Sequence, residues 1–493
     1  MNAIALLTIA AIISACGGDT PSPGTNDVTP ETPVVKTGDV RVVTTTSNRS
    51  RNLKEEWVDF SANEVVPSST LKLNPSEEFQ TIDGFGAAIT GATAYNLLKM
   101  SETDRHDFLA QTFSPTEGYG MSYVRIPIGA SDFSLSDYTC CDKPGIENFA
   151  LTNEEVHYII PVMKEILAIN PKVKVISAPW TAPRWMKVNN LTDLQPYESW
   201  TSGQLNPKYY QDYATYFAKW IKAFENEGIK IYGVTPQNEP LNRGNSASMY
   251  MTWQEQRDFI KDALGPKFAS EGIDTKIYAF DHNYNYDNIA DQKSYPVKIY
   301  ADPEASKYIA GAAYHNYDGS VSELDNVHAA APEKELVFTE STAGDWNDGA
   351  NLEKRLVDDM EQICLGTVNR WCRGSVIWNL MLDSKRGPWR PGGCSTGFGA
   401  LDIADDFKTI RRNSFYYIMA HMSLAAQPDA VRIGTNNFKA TGLNYTAFKN
   451  PDESYGLALS NRTNSDISLT VDDGNHHFPL TIPANGIATA TWK

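Results

Sequence analysis

The chain has 493 residues, enough for one large domain and a smaller one. Hydrophobic residues make up 41% and aromatics 11%, so a sizeable core can form and global disorder is excluded. A formal net charge of −17 repels phosphate backbones and anionic membranes, which argues against nucleic acid as a partner.

Residues 1–16, MNAIALLTIAAIISAC, are an apolar run ending in small residues and a cysteine. The run is too short to span a membrane and fits a secretory leader, although no Lys or Arg precedes it. Ile13-Ser14-Ala15-Cys16 resembles a bacterial lipobox, in which Cys16 would carry the lipid and become the mature N-terminus. Residues 17–38 follow as a Pro/Thr/Gly-rich tether with nothing to bury. The expectation is an exported monomer that meets the bacterial outer membrane or cell surface only through its lipid anchor.

Residues 39–80 hold short alternating stretches, VRVVTTTS and SSTLKLNP, that read as strands. From 81 to 427 a rhythm takes over. Apolar, β-rich runs fall at 82–90, 122–129, 173–180, 231–238, 276–283, 309–317, 335–341 and 374–382. Helical segments separate them, among them 154–169, 208–227, 253–264 and 351–365. Eight such alternations predict a (β/α)8 TIM barrel, since continuous apolar runs suit parallel strands covered on both faces. A doubly wound open sheet is the competitor, but no GxGxxG opens a helix here. The helical stretch 411–427 would close the barrel, and residues 428–493 alternate like antiparallel strands. Together with 39–80 they predict a side β-sandwich built from both chain ends.

Besides Cys16 there are Cys140, Cys141, Cys364, Cys372 and Cys394; spacing makes Cys364 and Cys372 the expected disulfide pair. No CxxC or HExxH occurs and the eight His are scattered, so neither a metal site nor a cofactor is expected.

In such a barrel the chemistry sits at the C-terminal strand ends. Those ends carry Arg125, Asp132, Trp180, Asn238, Glu239, His315, Tyr317, Glu340, Trp378 and Asn379. Glu239 after the fourth strand and Glu340 after the seventh face each other across the mouth. Two opposed carboxylates among Trp and Tyr point to glycoside hydrolysis, where one protonates the departing oxygen and the other attacks or activates water.

QNEP at 237–240, FTES at 338–341, GFGAAITGA at 84–92, VRIPIGASDFS at 124–134, SAPWTAPRWMK at 177–187 and WNLMLD at 378–383 carry a resemblance. Together they resemble glycoside hydrolase family 30, which includes glucosylceramidases and β-1,6-glucanases. The resemblance implies a retaining double displacement with Glu239 as acid/base and Glu340 as nucleophile. In those roles Asn238 would bond the sugar 2-hydroxyl and Arg125 would keep Glu340 ionised. Glu239 would need a raised pKa, supplied in part by the negative charge opposite. Asp132, Trp180 and Trp378 match sugar-lining positions, with a loop cap for Asp132 and a core plug for Trp180 as the alternatives. His315 and Tyr317 either orient Glu340 or touch substrate. Trp185, Trp346 and Trp389 either line the cleft or pack loops. GPWRPGGC at 387–394 resembles the β-1,6-glucanase branch, which often carries a second Cys shortly after the first, in the region where Gly397 stands here. The expected substrate is therefore β-1,6-glucan, cut internally. An exo-acting β-glucosidase or glucosylceramidase is the alternative, and a non-catalytic carbohydrate-binding barrel a remote one.

Overall fold

The computed structural model describes residues 36–62 and 67–493. The leader, Cys16 and nearly all of the tether lie outside those residues.

The barrel strands, numbered one to eight, are Gly84–Ala87, Tyr123–Pro127, Lys174–Ala178, Ile231–Val234, Lys276–Asn283, Gly311–His315, Glu335–Glu340 and Cys372–Ile377. Every pair between them is parallel, and strand one lies beside strand eight. Ala88 bridges Arg125, which joins strand one to strand two and closes the ring. Inside, Tyr123, Ile176 and Val376 form one small cluster, and Tyr278, Ala313 and Val337 another. Side chains two residues further along a strand share the same face. Arg125 therefore continues the inward row begun by Tyr123, and Trp378 the row begun by Val376.

The sandwich is a nine-stranded sheet with its own apolar core, which includes Leu71, Val471, Phe478 and Ile482. Its last strand, Gly486–Trp492, pairs with Val40–Thr46 on one side and Tyr455–Asn461 on the other, so the two chain ends interleave. The seam to the barrel is the helix Ser414–Ala425. There His421 is buried between the hydroxyls of Thr45 and Thr489, each 2.9 Å from a ring nitrogen.

Three differences from the sequence reading have physical causes. The helix expected at 253–264 continues through Gly265–Glu271. Pro266 has no N–H to give, and a π turn at Ile260–Leu264 widens the helix there, with the Gly265 N–H reaching back to the Ile260 carbonyl. The closing helix begins at Ser414 rather than 411, because Ile410–Arg412 is a short strand paired with Leu401–Ile403. Cys364 and Cys372 are not bonded; all five described cysteines are free, and these two are buried. Spacing placed them close in sequence, but one lies in a helix and the other opens strand eight, and both fill the core.

Candidate active site

Two β-bulges build the mouth. Along strands five and six, Phe280 pairs with Ala313 but His282 pairs with Tyr314, leaving Asp281 as the extra residue. Along strands six and seven, Tyr314 pairs with Phe338 and His315 with Glu340, leaving Thr339 over. Strict alternation would send Thr339 and Glu340 to opposite faces; the extra residue re-aims the chain so that both engage the mouth. Backbone strain gathers at the same place. Glu239 (φ 44°), Phe280 (φ 75°), Asp281 (φ 81°) and Asn379 (φ 66°) all adopt left-handed conformations. Each costs about 1–3 kcal/mol and persists only where the surroundings enforce it. For Glu239 one such tie is its N–H donating to the Asp281 carbonyl at 3.0 Å.

Arg125 is the hub. Its guanidinium donates to Glu340 Oε2 at 2.5 Å, to Asn238 Oδ1 at 2.8 Å and to Asp281 Oδ2 at 2.9 Å. It lies over Trp180 and Trp378, 5.0 and 5.3 Å from their rings, and those indoles stack on each other at 4.8 Å. Asp281 also accepts from Thr235 and Thr339, both at 2.6 Å, and meets His315 Nε2 at 3.0 Å. Burial opposes its charge, but Arg125 and these donors hold its carboxyl well below the usual range.

The other ring nitrogen of His315 lies 3.3 Å from Glu239 Oε1, and Tyr317 OH donates to Glu340 Oε1 at 2.9 Å. Asn242 and Asn245 each donate to Glu239 Oε2 at 2.8 Å. Burial disfavours a charge on His315, yet the Glu340 carboxylate and its bonds to Asp281 and Glu239 push it up to about 9. Glu239 does not have the raised value expected from the sequence. Burial lifts it, but His282, His315 and the Asn242 amide outweigh burial and hold it at about 2. The negative neighbour is present; the ring of donors around Glu239 outweighs it. Glu340 is not lowered overall as expected from Arg125: burial raises it, and the Glu239 charge adds to that against the pull of His315 and Arg125. Asp132 is pushed up to about 8 by burial and by the Glu340 and Glu239 charges, while Trp378 Nε1 donates to it at 3.1 Å.

One oxygen each of Glu239 and Glu340 and one nitrogen of His315 lie within 4.8 Å of one another. Three such atoms could in number begin a metal site. Arg125, Tyr317, Asn242 and Asn245 already occupy the acceptor positions of the two carboxylates, so the set is built for protons.

The residues expected from the sequence, Arg125, Asp132, Trp180, Asn238, Glu239, His315, Tyr317, Glu340 and Trp378, converge here. Trp180 and Trp378 are only 2% and 1% exposed, so they form a floor beneath Arg125 and Asp132 rather than open platforms. Trp346 and Trp389 are 54% and 45% exposed on the loops after strands seven and eight. Trp185 packs loops, donating to the Cys141 carbonyl and meeting Tyr209 edge-on. Sequence reasoning missed Asp281, His282, Asn242 and Asn245. Asp281 and His282 could have been found, since they stand at the end of run 276–283; nothing marks the two asparagines.

Residues 82–425 match the glycosyl hydrolase family 30 TIM-barrel domain and residues 429–490 the family 30 β-sandwich domain. The chain belongs to glycoside hydrolase family 30. Among relatives of this family 30 chain, an endo-1,6-β-D-glucanase of Aspergillus fumigatus is 30% identical, over 80% of each chain. The lysosomal acid glucosylceramidase of Mus musculus is 28% identical, over 91% of this chain and 88% of its own. A solved endo-β1,6-glucanase is 60% identical, with a TM-score of 0.90 over 92% of this chain and 99% of its own.

Proposed function

We propose that this family 30 hydrolase is a retaining endo-β-1,6-glucanase. The observation that carries the linkage is the 60% identity, across both domains, to a solved endo-β1,6-glucanase. The glucosylceramidase relatives are less than half as similar.

The mechanism follows from the geometry. Carboxylate oxygens within 4.8 Å suit the roughly 5–5.5 Å carboxyl separation of double displacement rather than the about 6.5–9.5 Å of inversion. Glu340 attacks the anomeric carbon, oriented by Arg125 and Tyr317. Glu239, an anion in the unliganded site, takes a proton from His315 across their 3.3 Å contact and passes it to the departing oxygen. Once Glu340 is esterified its charge is gone, and Glu239 acts as base on the incoming water. Asn238, fixed through Oδ1 by Arg125, keeps its amide N–H for the sugar 2-hydroxyl. Asp132 bonds further hydroxyls, and Trp346 and Trp389 offer faces for sugars beyond the central subsite.

The test is a product profile on pustulan, laminarin, cellobiose-like substrates and glucosylceramide. Short oligosaccharides from pustulan in the first minutes support the reading. Glucose alone, or faster release from ceramide, would remove it in favour of exo action. The same proposal places the enzyme outside the cytoplasm on a lipid at Cys16; Cys16→Ala should release it from the membrane fraction.

A further inference from the structure

The 384–403 loop after strand eight carries a charged side chain that the mechanism has not used. Arg390 is 3% exposed. Its guanidinium bonds the Ser131 carbonyl at 3.0 Å, the Ser246 carbonyl at 2.7 Å and the Ser246 hydroxyl at 3.2 Å, and pairs with Asp137 at 2.9 Å. Three loops, after strands two, four and eight, are thus tied at one point. A buried guanidinium is costly, and an apolar side chain would anchor a loop more cheaply.

The neighbours of its partners matter most. Ser246 follows Asn245, whose amide holds Glu239 Oε2 at 2.8 Å. Ser131 precedes Asp132, whose carboxyl is held by Trp378. The Arg390 loop grips the second segment again, because the Cys394 N–H reaches the Asp132 carbonyl at 3.3 Å. Gly393 is required for that approach, since a Cβ there would fall 2.4 Å from the same carbonyl oxygen. Arg390 touches neither reacting carboxylate, yet its partners Ser246 and Ser131 are the sequence neighbours of Asn245 and Asp132.

We propose that Arg390 is a positioning residue for hydrolysis, setting Asn245 against Glu239 and Asp132 toward the sugar through a single guanidinium. This rests on the two-glutamate reading above. It assigns the strand-eight loop a role in the chemistry, besides any platform that Trp389 supplies.

The test uses the full chain with Arg390→Lys, Arg390→Met/Asp137→Asn (which leaves no orphaned charge), Asn245→Ala and their combination. Activity is measured on β-1,6-glucan and an activated aryl β-glucoside across pH, with Tm recorded for each variant. Displacing catalytic groups by about 1 Å costs on the order of 10²-fold. The Met/Asn variant should lose about that much kcat/KM on glucan, with KM rising on both substrates, and the Lys variant should recover part of it. Loss of the Asn245 bond turns more of the Glu239 charge onto His315, so the proton those two share is held to higher pH and the alkaline limb should move up. His282, His315, Glu340, Asp281, Arg125 and Asp132, the other titratable or charged groups around Glu239, keep their side chains; the Arg390 charge also draws Asp132 down, so Asn245→Ala, which keeps Arg390, sets the reference limb shift. Adding Asn245→Ala to the Met/Asn variant should shift that limb no further, because both act on one contact. Folded variants within threefold of the parent, an unmoved limb, an additive limb shift, or unfolding of both Arg390 variants would each overturn the proposal. A parent enzyme inactive on both substrates would instead remove the functional reading, and this proposal with it.

Discussion

Both ends of the barrel bury charge, and they do so in opposite ways. At the bottom, Asp83 meets Lys174, Arg373 and the Tyr232 hydroxyl, while Glu335 meets Lys276 and Tyr278. With Asp429, which takes the other side of Lys174 at 2.9 Å, three carboxylates there face three cations, and of the six only the exposed Asp429 has a left-handed backbone. At the mouth, Glu239, Glu340, Asp281 and Asp132 gather around one permanent cation, Arg125, and two imidazoles, His315 and His282. The backbone there is bulged and strained at four positions. A balanced cluster on regular strands holds a barrel together; a carboxylate surplus on strained strand ends is poised for proton and glycosyl transfer. The contrast predicts that mutations at the mouth change turnover and mutations at the bottom change stability.

The largest effect belongs to Glu340. Glu340→Gln removes the nucleophile and should lower kcat by about 10⁴-fold or more on every substrate. Its Tm should hold or rise, because one member of a crowded carboxylate set becomes neutral; a fall of many degrees would break the contrast. Glu239→Ala should cost about 10²–10⁴-fold on glucan. It should cost far less on an aryl glucoside whose leaving group needs no proton, and added azide should restore part of the turnover by attacking the glycosyl-enzyme. Equal losses on both substrates with no rescue would deny Glu239 its role.

The bottom supplies the mirror experiment. Burial opposes the Asp83 charge, but Arg373 and Lys174 hold its carboxyl below the usual value. Asp83→Asn leaves Lys174 only the exposed Asp429 and Arg373 only Glu335 at 3.7 Å, and should cost about 3 kcal/mol of stability. Per folded molecule, kcat should stay within twofold, read by denaturant titration beside initial rates. The seam responds to acid. Burial holds His421 down to about 3 from the ordinary 6.5, so the fold favours its neutral form. Its contribution is complete above pH 6.5 and is lost as pH falls toward 3. Tm measured across that window should fall less steeply in a folded His421→Gln variant. The smallest effect is Trp389→Ala, expected to lower activity on long chains severalfold and on an aryl monoglucoside hardly at all. Equal losses on the two would make Trp389 a packing residue.

The sequence was most legible where function and fold share one rule. A parallel barrel must end its strands at the mouth, so Glu239 and Glu340 could be placed opposite each other from strand order alone. What periodicity could not show was a shift in the period itself. Asp281 and Thr339 are bulge residues, and a strand read by alternation gives no sign that one residue has been added. The π turn before Pro266 hid a continuing helix for the same reason. Electrostatics were the least legible. Glu239 takes its low value from Asn242, a loop amide, and from His282 and His315, which lie far off in sequence and meet it only through the fold. The Cys364–Cys372 expectation failed because spacing says nothing about direction. Gly397 is likewise explained only by the fold: a Cβ there would lie 2.9 Å from the Thr342 methyl and 3.3 Å from Cys394 Sγ.

Two glutamates with facing oxygens within 4.8 Å should cleave β-1,6-glucan internally with retention. Proton NMR of pustulan digestion during the first minutes tests it directly, because the newly formed reducing ends appear before they mutarotate. Oligosaccharides whose new ends are β-anomers are the predicted result. New ends appearing as α-anomers would contradict the double displacement and the roles given to Glu239 and Glu340.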